Sequence, residues 1–200
     1  FKCYADANFI YAAASSSEAL LESCDVVLRL LAASVVHSIK LSNWTCLDDA
    51  SINATSLASL MKQCQGLKAL TLQNFKDLDE DQIRVLGAYS RPDLEIILIQ
   101  CRLASTGSIA LAEVLGRYQG PTKLDCCLID NLGLADALRG NSRLKSFTPR
   151  ISSNFEVGNQ EIIEIASALK ENNGLVDLDL RCDVLRDFRM SNETWDAVCD

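Results

Sequence analysis

Residues 161–180 read EIIEIASALKENNGLVDLDL, and two different periodicities meet within this stretch. The first half carries apolar residues at helical spacing, with glutamates off that stripe. The members of the stripe are Ile162, Ile165, Ala166 and Leu169. Asn172, Asn173 and Gly174 are typical of a helix end. Apolar residues then alternate with Asp177 and Asp179, as in a strand with one buried face. The stretch predicts a helix that runs into a short strand.

The strand pattern, apolar-x-x-apolar-x-apolar, recurs along the chain. Its six copies are VHSIKL, LKALTL, LEIILI, PTKLDC, LKSFTP and LVDLDL, and they begin at Val36, Leu67, Leu94, Pro121, Leu144 and Leu175. The steps are 31, 27, 27, 23 and 31 residues; these add to 139, so the mean step is near 28. Helical periodicity returns between the copies. Because one strand and one helix cannot bury an apolar face alone, the units are expected to stack.

A helix rich in Ala and Leu that ends at Asn-Asn and runs into L-x-x-L-x-L resembles the leucine-rich repeat family, in its ribonuclease-inhibitor-like subclass. The resemblance covers about residues 36–190 and implies an α/β solenoid. That fold is a curved horseshoe with parallel strands on its concave face and helices on its convex face. Residues 1–34 are interpreted as an incomplete first repeat or a cap, with a helix over 15–34, and residues 35–200 as about six repeats. Both ends are interpreted as cuts in a longer array.

The repeat pattern also predicts which side chains are buried. Leu70, Leu72, Leu178 and Leu180 are expected to face the core. In the third copy two registers are open, and Ile96 and Leu98 fit the Cys101-x-Leu103 spacing better as the buried pair than Ile97 and Ile99 do.

Three further expectations concern single elements. Pro149 lacks a donor, so the fifth strand is expected to be short or irregular. In the helical stretch over 105–120, which ends at the Gly120-Pro121 break, Ile109, Ala112 and Leu115 are expected to form the apolar stripe. Asp77, Asp79 and Asp81 imitate the start of a calcium loop, but these acids are expected to cap the N-terminus of a helix.

Composition excludes several classes of function. The chain is 48% hydrophobic and 23% charged, as in one globular domain, and it has a net charge of −8 with a pI near 4.7. An acidic chain is unsuited to nucleic acid or to an anionic membrane, and no long apolar run predicts a membrane span. Nine scattered cysteines without a C-x-x-C pair favour a reducing compartment, so a cytoplasmic location is expected.

The sequence offers little support for catalysis. His37 is the lone histidine, which excludes schemes that need two imidazoles, and no phosphate-binding or nucleophile motif occurs. Cys126 and Cys127 are adjacent on a predicted strand, so they should point to opposite faces and make a poor zinc site. We therefore expect no enzyme activity, no cofactor, no metal and no small-molecule substrate.

The residues that alternate with the core positions are the candidate binding residues, because the concave sheet is the usual binding surface of solenoids. They are Lys40, Thr71, Gln73, Lys123, Asp125, Arg150, Asp177, Asp179 and Arg181. The predicted function is a non-catalytic scaffold that binds a protein partner through this face. Two alternatives stay open: a GTPase-activating regulator of the same repeat subclass, and a substrate-recruiting subunit of a ubiquitin ligase.

Overall fold

A computed structural model describes residues 2–6, 9–14, 37–43, 54–117, 119–128, 134–151 and 159–179 of the chain. Side chains are described over 37–42, 54–117, 119–125, 134–148 and 163–179. The strands within these ranges are β1 (Lys2–Asp6), β2 (Phe9–Ala14), β3 (Ser38–Asn43), β4 (Ala69–Gln73), β5 (Glu95–Arg102), β6 (Lys123–Leu128), β7 (Ser146–Ile151) and β8 (Asp177–Leu178). The helices are α1 (Ala54–Gln63), α2 (Glu80–Ala88), α3 (Ser105–Gly116), α4 (Leu134–Gly140) and α5 (Asn159–Glu171).

The described strands form one 8-stranded sheet, in which spatial order follows chain order from β1 to β8. β1 and β2 are antiparallel, and every later neighbour is parallel. The six strands β3 to β8 alternate with the five helices, and successive helices contact one another in chain order. The sheet is open rather than closed into a barrel. The predicted alternation of strand and helix around a parallel sheet is therefore confirmed.

The start of the sheet was not anticipated. β1 and β2 form an antiparallel hairpin, with Tyr4 opposite Tyr11, and β2 then pairs with β3 so that Ile10 lies opposite Ile39. Half of β2 is alanine, which has little strand preference, so tertiary pairing decides its conformation. The helix predicted over 15–34 lies outside the described residues.

One face of the sheet carries the core. Ile39 and Leu41 of β3 lie beside Leu70 and Leu72 of β4, and all four are buried. They belong to a single apolar cluster with side chains from the helices, including Leu57 of α1. The buried assignment of Leu70 and Leu72 is confirmed.

In β5 the buried pair is Ile96 and Leu98, whereas Ile97 and Ile99 point away from the core. The third copy therefore has the register that fits Cys101 and Leu103. A bulge follows at Gln100, since Ile99 lies opposite Asp125 but Cys101 lies opposite Cys126. Gln100 has a φ of 54°. The extra residue returns Cys101 to the core, where its thiol is fully buried.

Two core assignments were wrong. Leu178 is in register with buried Phe147 but is 42% exposed; among the described strands, β8 comes last in the sheet order and pairs with β7. Leu180 lies outside the described residues. Ile109 is also 42% exposed. The buried side of α3 includes Ala112 and Leu115, as predicted, together with Leu111 and Val114.

The other helical stripes agree with the periodicity. Leu57, Leu60 and Met61 of α1 are buried, and so is Cys64, which directly follows the helix. In α2, Ile83 and Leu86 are buried. In α5, Ala166 is buried while Ile165 and Leu169 are half-buried against the core; Ile162 lies outside the described side chains.

Pro149 does not shorten its strand, so that expectation was wrong. β7 runs over six residues and pairs with β6 along its whole length. The carbonyls of Lys145 and Phe147 accept hydrogen bonds from the β8 side, at Asp177 and Asp179. Backbone groups alternate in direction along a strand, so the nitrogen of Pro149, which carries no hydrogen, also faces the β8 side. The described pairing of β7 with β8 ends at Phe147, before Pro149.

Asp79 is the N-cap of α2, as predicted. Its carboxylate accepts hydrogen bonds from the backbone amides of Asp81 at 2.9 Å and Gln82 at 3.3 Å, and the Gln82 side chain accepts one from the Asp79 amide at 2.7 Å. This is a reciprocal capping box, so the Asp79 carboxylate serves the helix end.

Two asparagines tie neighbouring repeats together, a role that the sequence analysis missed. The buried Asn141 donates to the Leu115 carbonyl at 2.6 Å and accepts from the amides of Arg143 and Leu144 at 2.8 and 2.7 Å. Asn172 repeats this arrangement one unit later, where it donates to the Asn141 carbonyl at 2.8 Å. Each asparagine closes its own helix-to-strand turn and satisfies a carbonyl of the preceding unit.

Candidate functional site

The sheet face opposite the helices is the candidate site, and we call it the open face. Most of its described side chains form two rows that cross the strands, and Ser38, Ala69 and Glu95 lie beside them in a further row. The first row is Lys40, Thr71, Ile97, Lys123, Ser146 and Asp177. The second row is Ser42, Gln73, Ile99, Asp125, Thr148 and, by continuation of β8, Asp179.

Seven of the nine candidate binding residues lie together on the open face. They are Lys40, Thr71, Gln73, Lys123, Asp125, Asp177 and Asp179. All seven are half-buried or exposed. Arg150 is a backbone position of β7 opposite Cys127, and its side chain is outside the described ones. Arg181 lies outside the described residues.

The centre of the open face is apolar, which the list of candidate residues did not include. Ile97 and Ile99 are half-buried. Strand pairing places Thr71 and Gln73 on one side of them and Lys123 and Asp125 on the other. The signal in the sequence was Glu95, which alternates with Ile97 and Ile99 in the third copy and therefore marks their face as the outer one.

Small polar side chains fill the space between the larger ones. Ser42, Ser146 and Thr148 are buried although they belong to the open face. The Ser42 hydroxyl donates to Gln73 Oε1 at 3.3 Å, and the Ser146 hydroxyl donates to Asp177 Oδ2 at 2.9 Å. These cross-strand contacts hold outer side chains in defined positions, so the face presents a pre-organised surface.

An ion pair lies at the end of the open face where β5 ends. The Arg102 guanidinium donates to both carboxylate oxygens of Asp77, at 3.0 and 2.7 Å. Asp77 has a φ of 56° and precedes Leu78, which is bridged to Leu103. This bidentate contact joins the loops of two successive repeats.

Charge is unevenly distributed over the open face. Lys40 and Lys123 are the described cations of the two rows, whereas Asp125, Asp177 and Asp179 are their described anions. Asp125 lies on β6, and Asp177 and Asp179 lie on or directly after β8, so the described charged side chains of the two rows are acidic towards β8.

Neither a metal centre nor a membrane helix is found in the part of the chain that the structure describes. No group of three or more His, Cys, Asp or Glu side chains there could hold a metal ion. Over the same residues, no helix combines the length and apolar character that crossing a bilayer requires.

Cys101 is a buried thiol whose surroundings suppress its reactivity. Its sulfur lies 3.4 Å from the Leu72 carbonyl oxygen, and burial raises the pKa of the thiol to about 12. An alkylating reagent reacts with the thiolate, so a raised pKa and a buried sulfur both slow the reaction.

We therefore expect Cys101 to resist iodoacetamide at pH 8 in the folded protein and to react readily in denaturant, as measured by peptide mass spectrometry. The pKa of Cys101 is higher in the folded protein than in the unfolded one, so the protonated thiol stabilises the fold. This contribution is fully present below about pH 9, the ordinary pKa of the group. That contribution declines as pH rises from there through 12. Equal labelling with and without denaturant would contradict the burial of this thiol.

Comparison with known proteins gives no assignment: no protein-family model matches the chain, and no curated protein matches it either.

Proposed function

We propose that the chain is a leucine-rich-repeat array of the ribonuclease-inhibitor-like type, which binds a protein partner through its open face and has no catalytic role. The confirmed alternation of strand and helix supports the repeat assignment. The proposed binding surface is the one that such arrays leave uncovered when their helices pack on the other side.

A single observation carries the binding proposal: Ile97 and Ile99 are partly exposed in the middle of the open face, surrounded by polar and charged side chains. Protein interfaces have this composition, with an apolar centre that loses its water and a polar rim that stays hydrated. β-branched side chains on a sheet also lose little rotamer entropy when a partner covers them.

The contacts of Arg102 favour protein binding over GTPase activation. A GTPase activator of this repeat type would offer an arginine on a loop at the strand ends, and Arg102 occupies such a place. Its guanidinium is held by the Asp77 carboxylate, so it links two repeats rather than extending towards a substrate.

Replacing Ile97 by glutamate should abolish partner capture, because a carboxylate would be buried at the centre of the interface. With the immobilised protein as bait and quantitative mass spectrometry as readout, proteins that depend on the open face should be depleted about tenfold or more. Thermal unfolding of each variant establishes that the bait is folded.

Ile109→Glu is the matched control, since Ile109 is a partly exposed isoleucine on the helical side. It should capture the same proteins as the unmodified chain. Ile97→Thr keeps a β-branched side chain and should give an intermediate loss. The binding proposal fails if both glutamate variants retain the same partners.

A further inference from the structure

We infer that the open face binds a segment of a partner protein that has an apolar side chain at one position and basic side chains at another. The segment places an apolar side chain over Ile97 and Ile99 and lysine or arginine side chains over Asp177 and Asp179. This inference rests on the proposed function and adds the chemistry of the partner to it.

Strand register defines the spacing that the partner must match. The isoleucines lie on β5, and Asp177 and Asp179 lie on or directly after β8, three strands further along the sheet. With about 4.8 Å between neighbouring strands, the apolar and acidic positions are separated by about 14 Å. A partner helix covers that distance in roughly nine residues, so one short segment can contact both positions.

The acidic end of the open face is suited to cations. Asp177 is exposed and accepts one hydrogen bond, from the Ser146 hydroxyl, so its carboxylate has further acceptor positions. Asp179 follows it on the same face, and Asp125 lies two strands away in the row of Asp179. Two carboxylates, those of Asp177 and Asp179, therefore stand at the β8 end of the open face, and Asp125 lies between Ile99 and that end.

The charge between the two positions adds specificity. Lys123 lies in the row of Asp177, next to Ile97, so it repels cations placed beside the apolar contact, while the carboxylates repel anions placed towards β8. A segment with basic residues towards β8 has complementary contacts. The net charge of −8 favours the approach of such a partner over that of an acidic one.

A displayed library of random 16-residue peptides, selected on the whole chain, provides the test. Selected peptides should combine an aliphatic or aromatic residue with two or more lysines or arginines. A synthetic copy of one such peptide is then measured by fluorescence anisotropy. Affinity should fall at least about fivefold in the Asp177→Lys/Asp179→Lys variant, and it should also fall between 50 and 500 mM salt.

The matched control reverses two acids on the helical side, Asp136→Lys with Glu164→Lys. It changes the net charge of the chain by the same amount, so it should leave peptide affinity within about twofold if the contacts are local.

Two outcomes overturn the inference, and they are distinguishable. If the selected peptides lose affinity with Ile97→Glu but are neutral or acidic, or tolerate the Asp177→Lys/Asp179→Lys variant, the inferred chemistry is wrong and binding through the open face stands. If peptide affinity is unaffected by Ile97→Glu, the open face is not the binding surface and both proposals fall.

Discussion

Replacing Gly107 by alanine is expected to lower the free energy of unfolding by about 2–3 kcal/mol, although alanine is the better helix former. A Cβ atom at Gly107 would lie 2.0 Å from the carbonyl oxygen of Leu78 and 3.0 Å from its carbonyl carbon. Both atoms belong to the backbone, so no side-chain rotation relieves the clash. Either α3 or the loop before α2 has to move.

That movement would disturb the contact between two repeats. The same Leu78 carbonyl accepts a hydrogen bond from the Ala104 amide at 2.9 Å, and Leu78 forms a bridge with Leu103. α3 therefore starts directly against the preceding unit. An added methyl group would lengthen this hydrogen bond and separate two buried leucines.

Chemical denaturation followed by circular dichroism measures the effect, with Gly116→Ala as the matched control. Gly116 lies in the last turn of the same helix, and a Cβ there would meet nothing within 4 Å. Gly116→Ala should leave stability unchanged or raise it by up to about 1 kcal/mol. If the two substitutions had the same effect, α3 would not make the close approach described.

Leu98→Ala is expected to cost about 2–5 kcal/mol, because it opens a cavity in the continuous core. Leu98 is fully buried, and in the sheet it lies between Leu72 and Leu124, which are also fully buried. Neighbouring strands hold these side chains in place, so the core cannot collapse readily into the space.

Ile97→Ala, one residue away in the same strand, should cost about 1 kcal/mol or less, because Ile97 is on the open face. The comparison uses adjacent positions of one strand and side chains of equal size. Isoleucine has the higher strand preference, so its loss works against the expected difference rather than creating it. If Ile97→Ala were as destabilising as Leu98→Ala in thermal and chemical unfolding, the register of β5 would be wrong. Leu178 is unsuitable for this test, since it is partly exposed at the last strand.

Much of the architecture could be predicted from local pattern alone. The copies that begin at Val36 and Leu67 have polar residues between their apolar ones, and the structure buries Ile39, Leu41, Leu70 and Leu72 as the alternation requires. The acidic run around Asp79 was also interpretable, because capping depends on residues within one helical turn.

The failures share a physical cause, which is dependence on residues distant in sequence. The register of LEIILI was correctly favoured from its spacing to Cys101 and Leu103, but the bulge at Gln100, which returns Cys101 to the core, depends on the pairing of β5 with β6. Gly107 of α3 lies against the backbone of Leu78, 29 residues earlier in the chain. Likewise, Asn141 makes its tie to Leu115 across 26 residues.

For the candidate site, the sequence by itself determined the polar residues that alternate with the core, because side chains alternate strictly along a strand. Tertiary structure alone decided that these residues surround Ile97 and Ile99, and that Asp177 and Asp179 lie about 14 Å away across the sheet. Periodicity is a property of one strand, whereas the neighbours on a surface are set by the pairing of several strands. The composition of the open face therefore depends on which strands lie side by side, and the alternation within one strand does not determine that.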